Sequence, residues 1–241
     1  MSKQPVQSKT IQADLLAAMT CGEYATPKHL PPAKELSEKL CISRTQLRDI
    51  LAALEREGFI TRRHGVGTII NRHVLDVPLR MDIETEFLDM IRQSGFEPSV
   101  LSVQVSADLA NEKNAHLLKI SPGDPVIRVS RLCAADGKPA VFCEDLIPKR
   151  LVKHDYTMND LKKTIFDFLH TACGVSAYLD VTNIRPVAAD APLSEIFRVP
   201  EGTPLLHMEE VDFDVDGNPV FLSNQYFIDG VFRHTVIRKK L

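Results

Sequence analysis

Apolar residues near the start of the chain recur at helical spacing in three successive stretches. Ile11, Leu15, Ala18 and Met19 give a helix over about Lys9–Cys21 one apolar face, with Gly22 placed to end it in a left-handed C′ position. A second helix is predicted from Pro31–Pro32, because proline is tolerated where the first-turn N–H groups have no acceptor; Leu36 and Leu40 face its core. Cys41-Ile42 reads as a turn. Ser43-Arg44-Thr45-Gln46 fits a capping box, and Leu47, Ile50, Leu51 and Leu54 form the buried stripe of a third helix ended by Gly58. Two short strands follow, Phe59–Thr61 and Thr68–Ile70, around the polar stretch Arg62-Arg63-His64-Gly65-Val66-Gly67.

The pattern changes beyond residue 72. Pro78 breaks any continuation of the hairpin, and Asp82 is expected to cap a helix lined by Ile83, Phe87, Met90 and Ile91 and ended by Gly95. Alternation over 100–107 predicts a strand, and Asp108 to about Lys119 a helix with Leu109, Leu117 and Leu118 inward. Two hairpins are signalled by Asp136-Gly137 and Asp216-Gly217. Between them lie a helix over 161–170, a strand over 175–187 and a short helix over Leu193–Phe197; Val231–Ile237 reads as a last strand. Mostly antiparallel strands with interspersed helices predict an α+β class behind a helical head. No internal repeat or low-complexity segment stands out, although the two hairpins look alike.

The chain of 241 residues is long enough for two domains, each with its own core. Its net charge of −3 is divided unevenly. Residues 1–72 hold 11 Lys and Arg against 7 Asp and Glu, a net of +4, while the remainder carries −7. A basic front on an acidic rear is expected if only the front meets phosphate. The five cysteines form no C-x-x-C pair, so neither a zinc ribbon nor a disulfide framework is indicated, and reduced thiols in a cytoplasm are expected. No signal peptide and no span for a bilayer are read, and no cofactor or metal is called for.

The order helix, turn, capped helix, glycine-tipped hairpin predicts a winged helix-turn-helix, which places one helix in the major groove. Arg44, Thr45 and Arg48 share the exposed face of the capped helix's first turns. Arginine makes paired bonds to guanine edges, and a hydroxyl with the helix N–H groups can hold phosphate. Gly65 and Gly67 let the wing's backbone approach a surface closely. Residues 8–70 thereby resemble the DNA-binding signature of the GntR family of bacterial transcription regulators. The resemblance implies DNA contacts from Lys34, Ser43, Arg44, Thr45, Arg48, His64 and Gly65. Pro32-Ala33-Lys34 stands where the family usually has Ser-Glu-Arg, which turns a paired contact into a point charge, and Gln46 replaces a common Thr.

The doubled hairpin framework, ISPGDPVIRV with DGKP and VPEGTPLLHM with DGNP, resembles the UTRA domain of the HutC subfamily, whose fold is similar to chorismate lyase. That resemblance implies a small-molecule effector site and a homodimer on a palindromic operator, and repression as the family habit. The domains are read as 1–72 for DNA binding, 73–92 as a linker with a short helix, and 93–241 for effector binding and dimerisation. Where the family has R-x-R on its first hairpin and Glu on the return strand, this chain has Arg131, Cys133 and, if Pro148 sets the register, Cys143. One remaining arginine suits a monoanion such as a small carboxylate rather than a sugar phosphate. Ser99, Phe166, Ser223 and Tyr226 stand at other pocket positions of the family.

Two alternatives stay open. Cys133 and Cys143 read as buried apolar filler or as a thiol switch. The rear domain reads as a sensor or as a lyase-type enzyme. No Ser-His-Asp, H-x-x-x-H or Walker arrangement is present, His154 and His170 are isolated, and the expectation is a regulator rather than an enzyme.

Overall fold

The computed structural model describes residues 4–157, 160–161 and 164–238, and the chain divides into two compact units, residues 1–83 with 234–241 and residues 84–233. In the first unit α1 (Gln4–Thr20), α2 (Ala33–Lys39) and α3 (Arg44–Arg56) precede the antiparallel hairpin of β1 (Ile60–Arg63) and β2 (Gly67–Ile70) and the single turn α4 (Arg72–Leu75). Leu15, Met19, Leu36, Leu47, Ile50, Leu51, Leu54 and Ile60 form its core, the residues the apolar stripes selected. The guanidinium of Arg72 binds the carbonyls of Met19, Tyr24 and Pro27, so one of the head's basic residues is structural.

Gly22 does not take the left-handed backbone expected of it; a Cβ there would stand 2.8 Å from the Cα of Ala18, so close approach is what requires glycine. Asp82 does not cap a helix either. Its carboxylate is bound by the guanidinium of Arg80 (3.1 Å), and the helix α5 (Phe87–Gln93) starts later, with Glu86 at its N-cap. Val231–Ile237 forms no strand: within it Thr235 makes one parallel bridge to Arg80 in the first unit.

The second unit is a six-stranded antiparallel sheet of order β3-β4-β5-β8-β7-β6. Its strands are β3 (Pro98–Leu109), β4 (Pro125–Ala135), β5 (Lys138–Pro148), β6 (Leu179–Ala188), β7 (Pro204–Phe213) and β8 (Pro219–Ile228). Helix α6 (Glu112–Leu118) joins β3 to β4; the turn α7 (Ile165–Phe168) precedes β6; and α8 (Ala191–Phe197) joins β6 to β7. The helix expected from Asp108 begins later, because β3 runs on to Leu109 and Asn111 caps α6 with its side chain on the amide of Asn114. Part of the helix read over 161–170, Lys162 and Lys163, lies outside the described residues.

The sheet is built twice from the same unit, strand-helix-strand-strand, which corrects the expectation of no repeat. Asn111 and Asp190 cap the two helices; Lys119 and Arg198 end them with φ of 50° and 57°; Gly123 and Gly202 close the same turns, donating to Ala110 and Ala189. β5 and β8 meet at the middle, so a pseudo-twofold relates the halves. Helices α6 and α8 pack on one face of the sheet, against clusters that include Leu118, Leu146 and Leu222, and Phe197 and Leu205. The other face is covered by the segment around α7, with Phe168, Leu169, Val129 and Phe221 in its core.

Candidate functional site

In the head, the Ser43 hydroxyl accepts the amide of Gln46 at 3.1 Å, which fixes the start of α3. Cys41 takes φ of 53°, and the amides of Cys41 and Ile42 return to the carbonyls of Glu38 and Ser37, so the turn between α2 and α3 is tight. The residues expected to meet DNA lie on the surface: Lys34, Ser43, Arg44, Thr45, Arg48, His64 and Gly65 are all exposed. Arg48 has Asp49 beside it, at 3.8 Å, with both side chains in solvent. Arg62, by contrast, is tied to Glu55 by backbone and guanidinium bonds of 2.7 and 2.8 Å. Gly65 and Gly67 have φ of 74° and 100°, and a Cβ at either would meet nothing within 4 Å. The wing tip is therefore open and needs glycine for its backbone, not for space.

On the face of the sheet carrying α7, Val103, Arg131, Cys143, Gln225 and Met208 form one cross-strand row, and Val105, Val129, Asp145, Ser223 and Glu210 the next. Above them lies a cleft of three adjoining hollows. The central one, of ≈ 320 Å³, is bordered by Arg131, Asp145, Phe166, Glu210, Ser223 and Gln225, with Glu84–Phe87 along its edge. Cys133, Val100 and Thr164 border the second, again with Arg131. The third, of ≈ 580 Å³, is bordered by Glu84, Phe166, Tyr178, Asp180 and Asp212.

Of the seven positions carried over for an effector, Arg131, Cys133, Phe166 and Ser223 line these hollows, and three do not. Ser99 is exposed near the start of the edge strand β3, opposite Ala134. Tyr226 lies on the opposite face, stacked with His207 and Phe142; three positions from Ser223 along a strand, it cannot share that residue's face. Cys143 stands directly opposite Arg131, because Ala140 is the extra residue of a bulge, yet it is wholly buried below the cleft. Burial pushes both thiols up, Cys133 to about 11, which favours the apolar-filler reading because oxidation runs through the thiolate.

Arg131 is buried and donates to the carbonyl of Leu161 at 2.9 Å. The acids around it were not expected from the sequence. Asp145 accepts the Ser223 hydroxyl at 2.7 Å, and burial, against the pull of that bond and of Arg131, raises its carboxyl to about 6. Burial also raises Glu86, while Arg131 and a bond from Thr164 oppose it. Glu210 and Asp212 meet as a buried pair whose carboxyls are both pushed up, by desolvation first and then by neighbouring negative charge. Glu84 is exposed as a residue, and its carboxyl is raised by desolvation and by Glu210 and Asp180. A signal for one of these was present: Arg131 and Glu210 each fall six residues after the proline that opens their hairpin strand.

Two family models match the chain, one described as "Bacterial regulatory proteins, gntR family" over residues 7–70 and the UTRA domain over 93–232, with a further UTRA match over 68–134. The chain belongs to the GntR-family bacterial regulatory proteins that join a helix-turn-helix head to a UTRA domain, the HutC architecture. It is thus a transcription regulator with a DNA-binding head and a ligand-binding domain. The HTH-type transcriptional regulator RB1450 of Rhizobium meliloti is 26% identical over 87% of this chain and 86% of its own length. The HTH-type transcriptional repressor NagR of Bacillus subtilis is 21% identical over 86% and 84%. Among solved structures, the possible transcriptional regulator YydK of Bacillus subtilis superposes with a TM-score of 0.77 at 16% identity, covering 97% of this chain and 99% of its own. PhnF of Mycobacterium smegmatis gives 0.58 at 17%, over 96% and 100%. Among the described residues no helix is long and apolar enough to cross a membrane.

Proposed function

We propose that this chain is a cytoplasmic, homodimeric repressor that releases a palindromic operator when a small molecule enters the cleft above Arg131. The observation that carries the reading is the capped start of α3, with Arg44, Thr45 and Arg48 all in solvent and an open glycine-tipped wing in the same unit. These residues suit major-groove reading, with Lys34, Ser43, His64 and Gly65 holding the phosphate backbone. Residues 1–72 serve DNA binding, 73–92 link and bring Glu84–Phe87 to the edge of the cleft, and 93–241 sense and dimerise. The family matches at 7–70 and 93–232 support that division, while the compact units part between 83 and 84 and return 234–241 to the first. Repression is supported by the likeness to NagR, itself described as a repressor.

Dimerisation is supported by the outer strand β6. It ends the sheet, yet Leu179, Val181 and Ile184 expose about half of their surface on it. A dimer on a palindrome holds its recognition helices about 34 Å apart. An effector that binds better to another spacing lowers operator affinity by that difference in affinity. Arg131, the cleft's cation, supports an effector with an anionic end, such as a carboxylate, and we read the cleft as a sensor rather than a catalytic site.

Selection of bound fragments from a genomic library by the full chain, followed by anisotropy titration of the winners, tests the reading. A fragment with an inverted repeat bound at least a thousandfold more tightly than random duplex is expected at moderate salt. Uniform binding to all duplexes would reject it.

A further inference from the structure

We propose that the molecule held in this cleft carries a positively charged organic nitrogen, received by the carboxyls of Glu210 and Asp212 with Glu84 at the rim. The inference rests on the sensor reading above and adds the chemical class of what is sensed. Its first support is geometric. Asp212 is only 2% exposed and lines the ≈ 580 Å³ hollow; its carboxyl bonds to the acid Glu210, and no basic group among the described residues reaches its buried Oδ2. Two carboxyls buried against each other without a countercharge are costly to ionise, and a cation brought to them relieves that cost.

A second support comes from charge. Arg131 is the one cation lining the described hollows, and Glu86 and Asp145 already face it. The far end of the cleft holds Glu84, Asp180, Glu210 and Asp212 with no basic side chain among its lining residues. Burial first, then the negative charge of Asp180 on Glu210 and of Glu210, Glu84 and Asp180 on Asp212, pushes both carboxyls up, so positive charge delivered there is favoured.

The third support is the symmetry of the sheet. Arg131 and Glu210 hold equivalent positions in its two halves and border the same hollow, so the two half-sites offer opposite charges to one molecule. Their strands are three interstrand spacings apart, or about 14 Å between backbones, and both side chains reach inward. A short molecule with a carboxylate at one end and an ammonium at the other fits that polarity. A metal ion fits less well: no three Asp, Glu, His or Cys side chains among the described residues are grouped to hold one, and Phe166 and Tyr178 supply apolar and aromatic wall, suited to an organic cation.

Thermal unfolding of the full chain with three matched probes, 5-aminopentanoate, pentanoate and pentylammonium, tests the proposal. The aminopentanoate is expected to raise the unfolding midpoint at least twice as far as pentanoate, with pentylammonium also stabilising. In Asp212→Asn and Glu210→Gln that advantage of the amine should vanish while the pentanoate shift stays. Circular dichroism checks that the variants fold, and Glu84→Gln at the rim repeats the test should either fail to. Equal shifts for aminopentanoate and pentanoate, an amine-dependent shift that survives in all the variants, or no amine-dependent shift would overturn the proposal. So would stabilisation by calcium chloride that displaces the amine. Operator selection with the wild-type chain separates the two readings: sequence-specific binding without an amine effect rejects the cation alone, whereas uniform duplex binding rejects the regulator.

Discussion

Arg131 on β4 and Glu210 on β7 occupy equivalent places in the two halves of the sheet and border one hollow, so duplication has put opposite charges on the two sides of a single site. Arg131 also faces Asp145 and Glu86, and it sits 5% exposed. Removing a buried countercharge leaves the acids uncompensated, which typically costs about 3–5 kcal/mol. Arg131→Met is therefore expected to lower stability by about that amount in urea unfolding, and Asp145→Asn in the same chain should recover part of it. A single variant as stable as wild type would show that Arg131 is not what holds those carboxyls.

Arg44 lies in the first turn of α3, beyond the Ser43 cap, and makes no demand on the core. Arg44→Ala is expected to leave the unfolding midpoint within a degree or two while costing about 1–3 kcal/mol of operator affinity and relaxing preference at one base position. Anisotropy titration against the operator and single-base variants reads both effects. Lys34, a point charge, should instead weaken all sequences alike and flatten the salt dependence when replaced by Ala.

The head was legible because each of its elements is fixed locally: a serine cap, apolar residues one turn apart, a glycine-tipped turn. The structure repeats them with small changes, such as Gly22, whose need for glycine is steric contact with Ala18 rather than a left-handed backbone. The sensor was legible as strands and turns but only half legible as a site. Strand parity alone excludes Tyr226 once Ser223 is accepted, and a one-residue bulge at Ala140 decides which face Cys143 shares. The acids were hidden for a different reason. Glu84 and Glu86 precede a helix and read as ordinary helix-start residues, and Asp212 matters through burial that no local pattern encodes.

The Glu210 and Asp212 pair gives the stability a pH dependence of known sign. Unfolded carboxyls titrate near pH 4, whereas these are raised in the folded chain by burial first and then by neighbouring acids, Asp180 for Glu210 and Glu210 with Glu84 for Asp212. Their contribution is therefore complete below about pH 4 and is lost as pH rises through the folded values. His207 and His234, both lowered by burial, act in the opposite sense, but that effect is finished above about pH 7. The unfolding midpoint should then fall between pH 7 and 9, by about 1.4 kcal/mol of stability per pH unit for each retained proton, with Glu84, raised to about 8, adding to the pair. Buried Cys133 and Cys143 act in the same direction at the alkaline end, and they cancel when wild type is compared with a variant. Asp212→Asn should flatten the fall; identical slopes in the two proteins would remove the pair as its source.

The edge strand β6 gives the last prediction. Ile184 lies opposite Met208 and Val181 opposite Val211, so successive apolar side chains project from both faces of a strand with one unpaired side. Val181 is 54% exposed and Ile184 49%. An open edge is commonly blunted by charge, proline or a bulge. β6 carries Asp180, Arg185 and Pro186, but its register against β7 runs without a bulge from Leu179 to Ala188, and Val181 and Ile184 lie between Asp180 and Arg185. A second copy covering this strand would bury both residues, and a charge placed there would meet its own image across the twofold axis. Ile184→Glu is therefore expected to shift the mass measured by light scattering from two chains to one at micromolar concentration. It should also weaken binding to a full palindrome far more than binding to a half-site, since one head reads each half. A variant that stays dimeric would place the subunit contact elsewhere, and equal losses on palindrome and half-site would mean that the substitution acts within one chain.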